Sequence, residues 1–176
     1  VRAVMDFGDA PSRYGTLFAD DGARHRAEGP KLGSVRDAEL EGQPSFNADF
    51  DDARPGAPDD EDGVSFFSDT LYFDPAFPVA ATVMVTASEA GILDAFIDYN
   101  RDGQFGFYER LDNEFDIVVQ PGVNLITFYV PPALGYSPFP GVGSVAGSTI
   151  ARFRISSQGG LGPTGEAEDG EVEDYR

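Results

Sequence analysis

The sequence contains no cysteine, no tryptophan and a single histidine, His25. The absence of cysteine excludes disulfides, thiolate metal sites and thiol catalysis. One histidine cannot build a metal centre from several imidazoles, and it leaves little basis for a Ser-His-Asp triad. No run of 18 apolar residues occurs, so the sequence predicts no membrane-spanning helix.

Basic residues are also scarce, because 12 Lys and Arg stand against 31 Asp and Glu, a formal net charge of −19. Such a chain repels polyanions, which excludes nucleic acids and anionic membranes as partners. Disorder is a second interpretation of an acidic chain, but 15 Phe and 7 Tyr supply apolar surface that disordered chains lack. The 176 residues therefore predict a folded domain with a proper core.

Short β-branched runs bounded by turn residues dominate the apolar pattern, and several alternate with period two. With 21 Gly and 13 Pro, helices are hard to place, and only residues 34–43 have helical character. The predicted fold class is all-β, an antiparallel, jelly-roll-like β-sandwich. The predicted strands are 79–86, 92–97, 116–119, 124–130 and 149–155. In the last one, Arg152 and Arg154 lie on the face opposite Phe153.

Strand signals are distributed unevenly along the chain. Residues 6–63 are rich in Gly, Pro and Asp and are predicted to be a loop-rich, acidic leader, whereas residues 64–176 form the strand-rich core. A loop of such length is uncommon in a compact domain unless something holds it. We therefore expect a single domain, 1–176, in which the leader wraps the sandwich.

The acidic residues are clustered: residues 49–62, 98–116 and 166–174 hold 19 of the 31. Carboxylates packed so densely repel one another unless cations neutralise them. Ca²⁺, a hard ion that prefers oxygen ligands, is the natural neutraliser. The alternative, which stays open for the first and last clusters, is that acidic loops simply solvate the surface.

Residues 98–109 fit the spacing D-x-[DN]-x-[DN]-G-x5-E of a calcium-binding loop. Gly103 at the sixth position permits the sharp turn that brings the oxygens together. No helical pattern flanks the loop, so we expect a static calcium site within a β-fold. The alternative is an Asn-Asp-Gly hairpin turn with an incidental downstream Glu. The predicted metal ligands are Asp98, Asn100, Asp102, the main-chain carbonyl of Gln104, and Glu109.

A second calcium site is a further hypothesis, although no spacing decides which acidic residues meet in space. Its candidate ligands are Asp6, Asp9, Asp59, Asp60 and Asp62.

The segment Gly170-Glu-Val-Glu-Asp-Tyr175 resembles the motif that gives the GEVED domain its name. Three further parts of the sequence are similar to the pattern of that family. They are Ile97-Asp-Tyr-Asn-Arg-Asp-Gly-Gln-Phe105, the run-in at 149–156 and 160–167, and a leader with Asp6-Phe-Gly-Asp-Ala-Pro11, Tyr14-Gly-Thr-Leu17, Asp37-Ala-Glu39 and Asp59-Asp-Glu-Asp-Gly-Val64. One departure is Phe96, where the family often has Trp.

The resemblance implies a non-catalytic, extracellular β-sandwich module of secreted or cell-surface bacterial proteins, associated with adhesion or surface architecture. It implies no defined ligand. Calcium-dependent carbohydrate or ligand binding is the alternative function. The aromatic, Pro-rich stretch 128–140 could present Tyr136 and Phe139 to a ligand or to another subunit, and the favoured alternative is that this loop packs on the core of its own domain. Catalysis by an acid pair such as Asp98 and Glu109 is disfavoured, because a calcium loop uses those oxygens for the ion.

The two ends of the sequence suggest partners of the same kind. Members of the family continue past the final Tyr into one more strand, and Val1-Arg-Ala-Val-Met5 reads like such a strand placed before the leader. We expect neighbouring copies, in tandem or head to tail, in which residues 1–5 complete the next sheet. An arbitrary boundary or a proteolytic nick in a monomer is the equally weighted alternative.

Overall fold

The computed structural model of the chain describes residues 4–36, 38–49, 61–111, 116–136 and 141–176. None of the helices in these residues is long and apolar enough to cross a membrane. The strands are β1 (Met5–Phe7), β2 (Arg24–Arg26), β3 (Val64–Phe66), β4 (Val79–Ala87), β5 (Gly91–Ile97), β6 (Ile117–Val119), β7 (Gly122–Val130), β8 (Ala151–Ser156), β9 (Glu166–Ala167) and β10 (Glu171–Tyr175). Short 3₁₀ helices lie at Ser12–Tyr14, Phe18–Asp20 and Phe107–Glu109.

Two antiparallel sheets form the sandwich. One has the strand order β10-β8-β5-β6 and the other the order β3-β4-β7. Their facing side chains form one apolar core, in which Phe153, Leu93 and Val83 are fully buried. Burial of this apolar area is the main stabilising term of the fold. The expectation of an all-β sandwich is confirmed.

All five predicted strands are observed, with ends that differ by a few residues, as β4, β5, β6, β7 and β8. The helical character of residues 34–43 was wrong for those of them that the structure describes. Glu39 instead forms an isolated antiparallel bridge with Met5, and its N–H donates to the Met5 carbonyl at 2.8 Å. Tertiary pairing has overridden a weak local preference.

A third small sheet, with the order β1-β2-β9, lies outside the sandwich. The pairing of β2 with β9 is parallel, and it joins the leader to the segment just before β10. The sequence did not mark these strands, because they are two or three residues long and therefore too short to show a period-two pattern.

The leader covers the outer face of the four-stranded sheet. All six residues of β8 are buried, including Arg152 and Arg154 on the outer face. Ile150 packs in a second apolar cluster with Ala10, Tyr14 and the partly buried Phe105. The face division predicted for this strand is correct, but the strand is buried on both faces and not on one.

Candidate functional site

The loop 98–109 begins at Asp98, directly after β5, and curls around its own acidic side chains. The Asp98 carboxylate accepts the N–H of Asp102 at 3.2 Å and the N–H of Gly103 at 3.0 Å. The Asn100 side-chain oxygen accepts the N–H of Asp102 at 2.8 Å, and Asp102 accepts the N–H of Gln104 at 2.9 Å. These bonds turn the backbone so that Asp98, Asn100 and Asp102 share one side of a tight loop.

Glu109 closes the loop from the far end. Its carboxylate accepts the N–H of Asn100 at 3.2 Å and the N–H of Gly106 at 2.7 Å, at the end of the 3₁₀ helix Phe107–Glu109. The side chain is only 5% exposed. The structure thus brings the last predicted ligand back against the start of the loop, as the calcium-loop spacing requires.

Gly103 is required at its position by both conformation and space. Its φ is +88°, a left-handed value that favours glycine. A Cβ atom there would lie 2.7 Å from Cδ of Arg13, so the leader side chain packs directly against the turn.

The loop brings the carboxylates of Asp98, Asp102 and Glu109 near one another. Burial, together with the nearby Asp98 and Asp102, raises the pKa of Glu109, although its backbone hydrogen bonds act in the opposite sense. Among the described residues, no ion pair joins these three carboxylates to a basic side chain. Arg101 points away, since it donates to the carbonyl oxygens of Ser148 and Ala146.

Tyr14 of the leader touches the loop directly. Its hydroxyl donates to the Asp98 carboxylate at 2.6 Å. Burial, reinforced by the Asp98 charge, raises the pKa of Tyr14 to about 12. The phenol therefore stays protonated and keeps donating at every physiological pH.

In the part of the chain that the structure describes, no three His, Asp or Glu side chains converge in a geometry ready to hold a metal. In the 98–109 loop the carboxylates face N–H donors. Of the candidate ligands of the second hypothetical site, Asp6 accepts the N–H of Val172 and Asp62 accepts from the N–H and hydroxyl of Ser34. Asp9 is fully buried. Asp59 and Asp60 lie outside the described residues.

The aromatic stretch after β7 exposes Tyr136, whose side chain is 68% accessible, while Phe139 lies outside the described residues. A cleft of about 870 Å³ opens at one end of the sandwich and is lined by Tyr72, Tyr99 and Ser148 among others. Tyr136 is not among its lining residues.

Outside the loop, Arg152 and Arg154 on β8 each make five side-chain hydrogen bonds within the described part of the chain, and Arg152 is paired with a carboxylate. Its guanidinium makes two hydrogen bonds of 2.7 Å to the carboxylate of Asp174, and both side chains are fully buried. It also donates to the carbonyl oxygens of Tyr14, Gly15 and Pro163 at 2.8 to 3.0 Å. A buried charge is tolerated only when it is paired and bonded in this way.

Asp174 belongs to the C-terminal motif, and its neighbours alternate between two sides of β10. On the outer side, Asp174 also accepts the N–H of Ala10 at 2.8 Å, and the N–H of Val172 donates to Asp6 at 2.7 Å. These two contacts fasten the start of the leader to the sandwich.

The other side of β10 holds the remainder of the leader. Glu171 accepts the N–H of Leu32, and Glu173 accepts the N–H of Gly63 at 2.9 Å. The Tyr175 hydroxyl donates to Glu173 at 2.8 Å and accepts the N–H of Val64 at 3.1 Å. The motif thus binds the leader at both of its ends and near its middle.

The glycine that opens the motif is required by close approach. A Cβ atom on Gly170 would lie 1.8 Å from the Ile155 carbonyl oxygen, and the φ of Gly170 is +106°. Its N–H donates to the Glu28 carbonyl of the leader at 2.7 Å.

In a comparison with models of known protein families, the model of the GEVED domain matches residues 92–176. Residues 92–176 belong to the GEVED domain family. This match supports the coarser part of the functional expectation, a bacterial module of extracellular type. No curated protein and no solved structure matches the chain significantly.

The sequence analysis missed the structural role of the acidic residues in the GEVED motif. They were counted as a charge cluster, whereas each of Glu171, Glu173 and Asp174 accepts a specific N–H from the leader. The signal that could have found them is the alternation of Arg152 and Arg154 with apolar residues on β8. Buried arginines demand carboxylates on a neighbouring strand.

His25 of the leader is buried against the outer face of the GEVED domain. Its Nδ1 lies 2.7 Å from the Asp169 carbonyl oxygen, which only accepts, so Nδ1 carries the proton. Nε2 therefore accepts from Nε of Arg154 at 3.0 Å. Burial, and secondarily the positive charge of Arg154, lowers the pKa of His25 well below its ordinary value.

Arg154 is otherwise bonded to the backbone that precedes the motif. It donates to the carbonyl oxygens of Gly162, Thr164 and Gly165 at 2.6 to 2.9 Å. These bonds fold residues 162–165 over β8. Nε2 of His25 thus accepts a hydrogen bond from the buried Arg154 guanidinium, as the surrounding carbonyl oxygens do.

We expect Asp174→Ala to destabilise the domain by about 3–5 kcal/mol, because it leaves the buried Arg152 guanidinium without its carboxylate. The measurement is the free energy of unfolding in urea. Glu168→Ala, which removes an exposed carboxylate near the motif, is the matched control and should change stability by less than about 0.5 kcal/mol. Equal effects of the two substitutions would contradict the assigned role of Asp174.

We also expect acid to destabilise the domain through His25. The folded state holds the imidazole neutral, whereas the unfolded chain binds a proton below its pKa of about 6.5. The contribution of the neutral His25 to the free energy of unfolding is therefore complete above about pH 6.5. Below that pH it falls by up to about 1.4 kcal/mol per pH unit. His25→Gln keeps a donor and an acceptor without titrating, so its unfolding free energy should depend less steeply on pH between about 7 and 5. Identical pH profiles in urea titrations would contradict this prediction.

Proposed function

We propose that the chain is a non-catalytic, calcium-stabilised structural or adhesion module of a bacterial secreted or surface protein. The observation that supports this most directly is the 98–109 loop, in which Asp98, Asp102 and Glu109 lie near one another and, among the described residues, form no ion pair with a basic side chain. Held close, these like charges repel one another, and a cation relieves that repulsion.

The residues fit calcium by their chemistry. Every candidate donor is an oxygen, from carboxylates, an amide and a main-chain carbonyl, which is the ligand type that Ca²⁺ prefers. Oδ2 of Asp98 accepts from both the Tyr14 hydroxyl and the Gly103 N–H, but the other side-chain oxygens of the loop each accept a single hydrogen bond and keep a lone pair for an ion. Asp98, Asn100, Asp102, Glu109 and the carbonyl of Gln104 would hold it.

Binding would require some side chains to turn. Asp102 is exposed at the surface of the loop, and its carboxylate accepts from the Gln104 N–H and from the Asn100 amide. Rotation of such exposed groups toward an ion costs little compared with moving the buried Asp98. In this proposal the buried Asp98 and Glu109 keep their positions, and the exposed groups would turn to complete the shell.

The bound ion would stiffen more than its own loop. Asp98 is bonded to Tyr14 of the leader, and Gly103 lies against Arg13. Calcium at this site therefore stabilises the contact between the leader and the GEVED domain. This is the behaviour expected of a rigid spacer or scaffold at the cell surface.

Neighbouring copies of the module, in tandem or head to tail, are the partners in this proposal. Val4 is 63% exposed, whereas Met5 already pairs with Arg26 in β1. Residues 1–3 lie outside the described residues. The Val4 carbonyl accepts the N–H of Ala27 at 3.0 Å, so a strand added to a neighbour without opening this contact would use the chain before Val4.

We expect Ca²⁺ to raise the melting temperature relative to EDTA. An ion that binds only the folded state adds about 2.7 kcal/mol at a hundredfold excess over its Kd, which corresponds to about 5–10 °C for a domain of this size. Asp102→Ala should abolish most of that shift.

Asp116→Ala is the matched control, because it removes an exposed acidic residue close to the loop but outside it. It should retain the calcium-dependent shift. If Ca²⁺ leaves the melting temperature of the native chain unchanged, the loop is only a turn, and the calcium part of the proposal is overturned.

A ligand-binding module of a secreted protein is the second candidate function. It is favoured by the cleft at the end of the sandwich, where aromatic rings and hydroxyl groups meet, as in many saccharide sites. The exposed ring of Tyr136 is the other observation that supports it.

If this second function holds, a neutral oligosaccharide such as cellohexaose or chitohexaose should bind saturably in calorimetric titrations. Tyr72→Ala should abolish binding in the cleft, and Tyr136→Ala should abolish binding at the aromatic stretch. Tyr129→Ala removes an equally exposed ring elsewhere and serves as the control. Absence of saturable binding by the native chain would reject this candidate for those sugars.

A further inference from the structure

Strand β7 forms an edge of the three-stranded sheet, and in the described part of the chain it pairs only with β4. It is nine residues long, whereas β3 and β6, at the edges of the same sheet and of its neighbour, have three each. An edge strand presents a row of N–H and C=O groups to which another strand can bond.

Natural edge strands are protected by charges, prolines or short length, and β7 has none of these features. Its sequence, Gly122-Val-Asn-Leu-Ile-Thr-Phe-Tyr-Val130, contains no charged residue and no proline. The residues directly before and after the strand are prolines, Pro121 and Pro131. They would end any new ladder at the ends of β7, because proline donates no hydrogen bond.

The outward face of this sheet is also free of charge. On β7, Val123, Leu125 and Tyr129 are 63%, 64% and 62% exposed. Their neighbours across the ladder on β4 are Thr86, Met84 and Ala80. The solvent face of an antiparallel sheet is normally polar. A continuous uncharged face is unexpected in a chain of net charge −19.

We propose that β7 pairs antiparallel with β7 of a second copy of this chain, so that the two three-stranded sheets join into one of six strands. If the two-fold axis passes between the two copies of Ile126, Val123 of one copy lies opposite Tyr129 of the other, and Leu125 lies opposite Thr127. These are β-branched, aromatic and aliphatic pairs of the kind that stabilise sheets. No like charges face each other in this register.

The net charge of the chain limits where a second copy can make contact. Two copies of net charge −19 repel each other wherever their acidic loops approach, and β7 offers a long, uncharged line of contact. A strand of this length spans roughly 30 Å. Pairing of one strand gives an interface at the small end of specific complexes, so the dimer should be weak and should strengthen as salt screens the repulsion.

This contact differs in kind from the head-to-tail assembly proposed above, and it depends neither on calcium nor on residues 1–5. An isologous contact uses the same patch on both copies and closes at the dimer, whereas a head-to-tail contact can propagate. The stoichiometry therefore separates the two.

The test is sedimentation velocity of the full chain from about 1 µM to about 1 mM, with Ca²⁺ and with EDTA. We expect a monomer–dimer equilibrium in both conditions, shifted toward dimer by added salt. Leu125→Lys and Thr127→Glu, each at an exposed position, should each weaken the dimer at least about tenfold. Mixing the two variants should restore it, because Lys at 125 then faces Glu at 127 across the axis.

Ala80→Lys is the matched control, since it places a charge on the same face but on the middle strand β4. It should leave the dimer intact, whereas stacking of two such faces would be disrupted by it. A chain that stays monomeric at all concentrations, a dimer lost in Ala80→Lys, or mixed variants that do not associate would each overturn the proposal. A dimer that persists while the calcium-dependent melting shift is absent would reject only the calcium site.

Discussion

Of the two arginines buried on β8, the one on which the fold depends most is Arg152, whose guanidinium is paired with a carboxylate. It lies between the four-stranded sheet and the leader, where water does not reach it, and its charge is balanced by Asp174 on the adjacent strand. Its remaining donors bind carbonyl oxygens of Tyr14, Gly15 and Pro163. Because a buried charge without such partners costs several kcal/mol, β8, β10 and the leader are stable only when they are folded together.

The acidic residues of the GEVED motif attach the leader to the sandwich. Alternate residues of β10 face opposite sides, so Asp174 holds the outer part of the leader and Glu173 holds its end near β3. The leader in turn reaches the acidic loop, where Tyr14 donates to Asp98. The motif, the leader and the loop are therefore mechanically connected, and stabilisation of the loop by an ion would be transmitted to the outer layer.

Much of the sandwich could be predicted because its strands are apolar and alternate with period two. This rule holds for β4, β5, β7 and β8. Each of them buries a face whose apolar residues can be recognised in the sequence. β10 could not be predicted in the same way, because its residues are mostly acidic and their burial depends on donors supplied by distant segments. For the same reason the helical character near Glu39 was overruled by pairing with β1.

The amino-acid sequence by itself determined the fold class, the spacing of oxygen donors in the 98–109 loop and the two unlike faces of β8, since each is a local pattern of side chains. Only the tertiary structure decided that the arginine face is buried, that the motif carboxylates receive leader N–H groups and that β7 remains an uncharged edge. Those outcomes depend on which distant segments of the chain come into contact. Local patterns do not distinguish between the possible contacts. The fold adopts those in which the buried charged groups find their hydrogen-bond partners.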